Sequence, residues 1–185
     1  MSLEQYAEAR PDFRAKVIAH KIPRRIALTS NATLYFEDFL TMQYQVQEML
    51  RVERIFEVDG IMEEIEAYNP LIPDGQNWKA TFMLEYGDVA ERKAALARLV
   101  GVEDRIYVRV GDGERCYAIA DEDMERSTAD KTSAVHFMRF ELTPEMVATL
   151  KGGAALGMGV DHPEYKHHLE EVAPETQTAL VADLK

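Results

Sequence analysis

Residues 105–120 read RIYVRVGDGERCYAIA and have the pattern of a β-hairpin, with alternating apolar residues on both sides of a Gly-Asp-Gly turn at 111–113. Residues 79–86 (KATFMLEY) and 133–142 (SAVHFMRFEL) also have strand character. Helical periodicity occupies other segments of the chain. Strands joined by hairpins and grouped apart from helices predict an α+β fold, with a mainly antiparallel sheet and helices packed on one face.

A length of 185 residues fits a single domain that is large enough to bury a core. We expect one α+β domain over residues 1–185, with peripheral N-terminal helices at 2–22 and a peripheral C-terminal tail at 172–185. The N-terminal helices are expected to be two. One begins at a capping box formed by Ser2, and the other begins at Pro11.

The net charge of −12 argues against nucleic acid as the main partner, because phosphate neutralisation requires a basic surface. No apolar run approaches the roughly 20 residues that a membrane span requires. Acidic residues near the N-terminus stand where a signal peptide would need an apolar segment. We therefore expect a cytoplasmic protein with no membrane partner and no nucleic-acid partner.

The segment TMQYQVQEMLRVERIF, residues 41–56, is predicted to be an amphipathic helix. At about 100° per residue, Glu53 falls in the middle of an apolar arc, which consists of Met42, Val46, Met49, Leu50 and Phe56. A carboxylate in that position must be paired, hydrogen-bonded or protonated, because burying it alone costs several kcal/mol. We predict a buried Glu53 paired with an arginine or with His136. Such a pair would either fix the helix position or form the wall of a functional pocket.

The opposite side of this helix carries Gln43, Gln47, Arg51 and Arg54, and it is predicted to be an exposed surface for a ligand or a partner. Arg139, on the outward face of the strand at 133–142, is assigned to the same kind of surface.

His136 lies on the apolar face of that strand, in line with Met138 and Phe140. It is interpreted either as a hydrogen-bonded core histidine or as a site residue. In the second interpretation, Glu53 and His136 meet across a helix–sheet pocket and form an acid–base pair or half of a metal site.

The segment KGGAALGMGVDHPEYKHH, residues 151–168, is rich in glycine. It contains neither nucleotide-binding fingerprint. Gly152 is predicted to be left-handed after a helix over residues 144–151. Gly153, Gly157 and Gly159 are predicted to let the following loop pack closely against a neighbouring element.

Asp161 and His162 are weak candidates for a transition-metal site, because their side chains are suitable ligands but their spacing matches no standard motif. No cofactor is evident from the sequence. The single cysteine, Cys116, cannot supply the four thiolates of an iron–sulfur cluster, and we expect the isolated protein to lack such a chromophore.

Several segments together resemble the bacterial domain-of-unknown-function family 3501. They are FRAKVIAHK, YQVQEMLRVERIF, YNPLIPDG, YAIADEDMERS, KTSAVHFMRFEL and KGGAALGMGVDHPEY, and they span roughly residues 3–170. The resemblance implies no particular activity. It does imply neighbours, because such proteins are typically encoded beside a rubrerythrin-like protein and an iron–sulfur oxidoreductase related to heterodisulfide reductase subunits.

Two functional hypotheses follow. The first is an accessory or partner protein of an iron–sulfur oxidoreductase or rubrerythrin-type redox system, itself without a cluster. The second is a small enzyme, or a protein that binds a metal or a small molecule, with a pocket around Glu53, His136 and the glycine loop at 152–159. A shared deep pocket would favour the second hypothesis, and an exposed Gln and Arg surface would favour the first.

Overall fold

The computed structural model describes residues 1–185. The helices are α1 (Leu3–Lys21), α2 (Phe39–Val52), α3 (Val58–Tyr68), α4 (Val89–Arg98), α5 (Pro144–Lys151) and α6 (Pro174–Val181). The strands are β1 (Arg25–Ala27), β2 (Ala32–Glu37), β3 (Asn77–Leu84), β4 (Ile106–Val110), β5 (Arg115–Tyr117), β6 (Ile119–Ala120), β7 (Val135–Glu141), β8 (Leu156–His162) and β9 (Tyr165–Leu169). Short 3₁₀ helices lie at Ile22–Arg24, Asn69–Leu71 and Val102–Arg105.

The strands form two antiparallel sheets. The first sheet has the order β1-β2-β3-β7-β6, and the second sheet has the order β5-β4-β8-β9. The predicted hairpin over residues 105–120 is present as β4 and β5, but its last residues leave the second sheet and pair with β7 as β6. The α+β class with antiparallel strands is confirmed.

One hydrophobic core of 26 buried residues lies between the inner faces of the two sheets. In the first sheet, the Phe36 ring packs against Trp78 and Phe140, with each pair of ring centroids 6.0 Å apart. The second sheet contributes alternate residues of β4 and β8, among them Ile106 and Met158. Full burial of each such side chain stabilises the fold by roughly 1.5–3 kcal/mol.

The N-terminal residues form one helix, so the prediction of two helices is wrong. The predicted capping box of Ser2 with Gln5 is present, but α1 continues through Pro11 to Lys21. Pro11 lies on the exposed side, and tertiary contacts on both sides of it offset the lost backbone hydrogen bond. Tyr6 and Val17 are buried, and the Tyr6 hydroxyl donates a hydrogen bond of 2.6 Å to Glu48 of α2.

The C-terminal tail is not peripheral, contrary to expectation. Leu180 of α6 belongs to the core, and its carbonyl oxygen accepts a 2.9 Å hydrogen bond from the indole N–H of Trp78. The buried guanidinium of Arg24 donates to both carboxylate oxygens of Asp183, at 2.7 and 2.8 Å. These contacts give the last residues a structural role in the core.

Helices α2 and α3 form a layer over the outer face of the first sheet. Residues of both helices and of that face line two shared cavities. Asp38 caps α2, with its carboxylate accepting a hydrogen bond from the Thr41 backbone N–H. None of the helices is long and apolar enough to cross a membrane.

Candidate functional site

Glu53 does not contribute to a pocket, and the prediction that it is buried and paired is wrong. Helix α2 ends at Val52, and Glu53 is an exposed residue at its C-cap. Arg54 then adopts a positive φ of 57°, which turns the chain away from the helix axis. The helical wheel placed Glu53 on the apolar face only because it extended the helix past its real end.

The four residues predicted to form one exposed polar side of α2 differ in their exposure to solvent. Gln47 is buried, contrary to expectation, and its amide donates a 3.0 Å hydrogen bond to the Met1 carbonyl oxygen. Gln43 is half-buried, whereas Arg51 and Arg54 are exposed. Arg51 lies 3.5 Å from the Glu48 carboxylate. These four side chains therefore do not form one exposed surface.

His136 faces the core from β7, as the alternation of the strand predicts, and it has no solvent exposure. Its Nδ1 lies 2.6 Å from Asp121 Oδ2, and its Nε2 lies 2.9 Å from the Thr132 hydroxyl and 3.1 Å from the Ser133 carbonyl oxygen. The Thr132 hydroxyl donates a 2.9 Å hydrogen bond to Glu103. We call these residues the His136 network.

The acceptor groups around His136 determine which of its ring nitrogens donate hydrogen bonds. The Ser133 carbonyl oxygen can only accept, so Nε2 donates, and Nδ1 donates to the Asp121 carboxylate. An imidazole that donates at both nitrogens is an imidazolium ion, here held between Asp121 and Glu103. Burial favours a higher pKa for Glu103, but the hydrogen bond from Ser127 and the charge of His136 outweigh it and lower that pKa. Both ring nitrogens are occupied, so the network is a buried structural ion cluster.

The predicted glycine loop is a β-strand in the middle of the second sheet. β8 pairs with β4 on one side and with β9 on the other, so the close packing expected at Gly157 and Gly159 is present in a different form. The same prediction is wrong for Gly153, where an added β-carbon would meet no atom within 4 Å. A β-carbon at Gly157 would lie 2.8 Å from the Glu170 carbonyl oxygen, and one at Gly159 would lie 2.5 Å from the Tyr107 hydroxyl. Gly152 has φ −73°, and Gly153 is the left-handed residue, with φ +91°.

Asp161 and His162 are consecutive residues of β8, so their side chains point to opposite faces of the sheet. His162 is buried, with Nε2 donating to the Val100 carbonyl oxygen at 3.1 Å and Nδ1 accepting from the Glu164 backbone N–H at 3.3 Å. Asp161 forms a 2.8 Å ion pair with Arg115. These two residues cannot converge on one metal ion, and no group of three or more His, Cys, Asp or Glu side chains is arranged to hold one.

A groove opens between the N-terminus of α1 and the helices α2 and α3, and we call it the helical groove. It has a volume of about 550 Å³, and 11 of its 16 lining residues are hydrophobic. The Phe56 side chain is 68% exposed at its edge. The main apolar lining residues are Phe39, Met42, Val46, Phe56, Ile61 and Ile65.

α3 is an unusual wall for a groove, because it is amphipathic and yet buries none of its residues. Its acidic residues Asp59, Glu63 and Glu66 are exposed. Ile61, Ile65 and Tyr68 of α3 line the groove, whereas these three carboxylates lie on the opposite side of the helix. The helix thus offers an apolar contact surface to the groove and an acidic face to solvent.

Two smaller cavities lie beneath the same helices, against the outer face of the first sheet. One of about 370 Å³ is lined by Arg139, Lys79 and Glu122, among others. Arg139 donates to both carboxylate oxygens of Glu122 at 2.8 Å. The other cavity, of about 360 Å³, is lined by Lys21, Glu37 and Gln45, among others. We call this cavity of about 360 Å³, which contains Glu37, the sheet cavity.

The family model described as "Protein of unknown function (DUF3501)" matches residues 1–184 of this chain. The chain belongs to this family. A crystal structure of a novel protein of unknown function from Burkholderia pseudomallei is also similar, with 51% sequence identity and a TM-score of 0.95. That match covers 100% of this chain and 96% of the other. No curated protein matches the chain.

The family description provides no chemistry, so the functional argument depends on the surfaces themselves. Sequence reasoning missed Glu37, which looks like the last residue of an ordinary amphipathic strand. It also missed Asp121 and Glu103. Asp121 opens the acidic run DEDMER, which reads as a solvated turn, and no local pattern in the sequence connects it to His136. α3 is amphipathic in sequence, but its exposure depends on tertiary structure and cannot be read from that pattern.

Proposed function

We propose that this protein is a cytoplasmic accessory protein that binds a partner protein through the helical groove. The partner would be an iron–sulfur oxidoreductase or a rubrerythrin-like protein, and the segment that it inserts would be a basic amphipathic helix. The observation that carries the proposal is the exposed apolar face of α3, which has no occupant within this chain.

The shape of the helical groove supports a helical occupant. Two helices and an extended N-terminal segment surround an open apolar channel, which is the geometry in which amphipathic helices bind grooves. Phe39 and Phe56 are more than half exposed at its edges and can contact an inserted helix from both sides. Aromatic side chains in such positions contribute a large share of binding energy.

Charge supports a basic occupant. The chain carries a net charge of −12, and Glu4 is the only charged side chain that lines the groove. A segment with an apolar stripe flanked by Lys or Arg would bury its stripe in the groove and would be attracted by Glu4 and by the negative charge of the whole protein. Association should consequently weaken as the salt concentration rises.

The proposal of a redox partner is supported by the genomic neighbours of the family. Its members are typically encoded beside an iron–sulfur oxidoreductase and a rubrerythrin-like protein, and this chain has only Cys116 for thiolate ligation. In such a system this protein would be the component without a cluster, and the cluster would belong to its partner.

The test is isothermal titration of the full-length protein with each of the two purified neighbours. We expect saturable binding of one neighbour, and we expect Phe56→Ser to weaken it at least tenfold, the effect of losing about 1.4 kcal/mol or more. Val89→Ser, which removes another exposed apolar side chain on α4, is the matched control and should leave the affinity unchanged. Absence of binding to both neighbours, or equal losses in the two variants, would reject the proposal.

Small-molecule binding is a second candidate function, although not at the pocket that the sequence predicted. Glu53, His136 and the glycine segment lie in separate parts of the molecule. A specific feature of the sheet cavity favours a ligand there instead.

A further inference from the structure

Glu37 is the last residue of β2 and points to the outer face of the first sheet, beneath α2. It is only 6% exposed. Its Oε1 accepts a 2.9 Å hydrogen bond from the Thr81 hydroxyl. Its Oε2 is buried and has no hydrogen-bond partner. Buried polar atoms in folded proteins almost always have a partner, and a carboxylate oxygen without one is costly.

Three cations of the chain lie near Glu37, and none of them donates a hydrogen bond to its Oε2. Arg24 donates to Asp183 and lies 3.2 Å from Asp38. Lys79 is opposite Glu37 in the strand register, but it lines the neighbouring cavity of about 370 Å³. Lys21 lines the sheet cavity together with Glu37 without forming an ion pair with it. A donor from outside the chain would complete the site.

The sheet cavity has the size and composition of a small-ligand site. Its volume is about 360 Å³, near the lower end of the usual range for ligand pockets, and seven of its 11 lining residues are hydrophobic. Met83, Val135 and Phe137 form an apolar floor on the sheet. Tyr35 and Gln45 provide additional hydrogen-bonding groups around Glu37.

We propose that the sheet cavity binds a small organic molecule with an ammonium group on a compact apolar body. The ammonium group donates a hydrogen bond to Oε2 of Glu37, and the apolar body packs on the floor of the cavity. An anionic ligand would be repelled by Glu37. A divalent metal ion would need several oxygen ligands, whereas Glu37 is the only carboxylate among the lining residues.

The route into the cavity passes the end of α3. Tyr68 and Leu71 line both the sheet cavity and the neighbouring cavity, so they form the partition between the two. Tyr68 is the last residue of α3, which buries none of its own residues, and Leu71 ends the 3₁₀ helix that follows. Displacement of this segment costs little buried apolar surface and would widen the cavity.

The probe for the test is 2-phenylethylamine, titrated into the full-length protein and followed by the amide resonances of β2 and β3. The matched probes are 2-phenylethanol, which lacks the charge, and 3-phenylpropionate, which reverses it. We expect saturable shifts with the amine, and at least tenfold weaker binding of the other two. No saturable binding of the amine, or equal binding of all three probes, would overturn the proposal.

Two variants locate the site. Glu37→Gln should weaken amine binding at least tenfold, whereas Glu8→Gln, which removes an exposed charge on α1, should not change it. Met83→Trp fills the cavity without altering Glu37 and should also weaken binding, so the proposal stays testable if Glu37→Gln folds poorly. Unchanged binding in Met83→Trp, or in a folded Glu37→Gln, rejects the site.

A stability measurement separates a ligand site from a structural carboxylate. If Oε2 is a ligand-binding atom, Glu37→Gln should change the thermal midpoint of the ligand-free protein little, because Oε2 makes no hydrogen bond within the chain that the substitution could remove. A lower midpoint together with unchanged amine binding would mean that Glu37 serves the fold alone, and would contradict the proposal.

Discussion

Asp121 has several structural roles at one position. Its carboxylate lies 2.6 Å from His136 Nδ1, accepts a 3.0 Å hydrogen bond from the Phe137 backbone N–H, and lies 3.2 Å from the Arg126 guanidinium. Its backbone has a φ of 53°, which Asp and Asn tolerate better than most other residues. The side chain thereby connects β6 to β7 and balances the charge of the buried histidine.

We predict that Asp121→Ala destabilises the protein by about 3–5 kcal/mol, because it leaves the imidazolium of His136 buried beside only Glu103. Asp121→Asn retains an acceptor oxygen and tolerates the positive φ, so its cost should be smaller, about 1–2 kcal/mol. Urea unfolding at pH 7 measures both values. Equal costs for the two variants would show that the charge of Asp121 contributes little.

At the scale of single residues, the sequence predicts which face of β7 the His136 side chain occupies. It does not predict that Asp121 is its partner. Alternation along a strand determines which face a side chain occupies, and this depends only on neighbouring residues. The partner depends on tertiary structure, because Asp121 reaches His136 only through the pairing of β6 with β7. Glu53, by contrast, was predicted to be buried because the helical period placed it in an apolar arc.

At the scale of elements, α1 is attached to α2 by a cluster around Glu48. Arg10 donates to both Glu48 oxygens at 2.7 and 2.8 Å, and the Tyr6 hydroxyl donates to Oε1 at 2.6 Å. The hydrogen bonds from Arg10 lower the pKa of Glu48 to about 2 against the opposing effect of burial, and the Tyr6 hydroxyl contributes further.

This lowered pKa predicts an acid-dependent loss of stability. Because the folded-state pKa lies below the ordinary value of 4.5, the stabilisation from Glu48 is fully present above pH 4.5 and is lost as the pH falls to about 2. Glu48→Gln should therefore be less stable than the wild type at pH 7 and similar to it near pH 2. Urea unfolding midpoints across this range measure the effect.

Glu8→Gln is the control for Glu48→Gln, since Glu8 is exposed on α1, the helix that Glu48 of α2 contacts. It should follow the wild-type pH profile throughout. If Glu48→Gln also follows that profile, the cluster does not contribute to stability, and α1 is held by Tyr6 and Val17 packing alone.

Errors in the predicted elements arise at their boundaries. The 3.6-residue period of α2 continues into residues 53–56, but the positive φ of Arg54 ends the helix, and no glycine marks that turn in the sequence. The glycines of β8 were interpreted as a loop. Leu156, Met158 and Val160 alternate there as strand residues facing the core, and the intervening glycines obscured the pattern.

At the scale of the whole molecule, the class could be predicted but the division into two sheets could not. Hairpins are local and leave a signature in the sequence, as at 105–117. The pairing of β8 with β4 joins segments about 50 residues apart, and only the assembled core determines it. The same holds for α6, whose short apolar stretch gave no sign that Leu180 enters the core.

The core and the helical layer differ in how firmly they are held, and this difference predicts the dynamics of the protein. β3 lies in the middle of the first sheet with its inward side chains buried, whereas α3 buries none of its residues. An isolated helix of 11 residues is marginal in water, so α3 depends on partial contacts with α2 and the 3₁₀ helix that follows. It should open locally while the sheet remains intact.

Native-state hydrogen exchange measures this. We expect the amides of Val58–Tyr68 to exchange at least tenfold faster than those of Asn77–Leu84, and to be insensitive to low urea concentrations because their opening exposes little surface. α3 forms a wall of the helical groove, and its last residue, Tyr68, lines the sheet cavity. Its opening would therefore give access to both surfaces. Protection of α3 equal to that of β3 would contradict this, since it would mean that the helical layer and the sheet unfold as one unit.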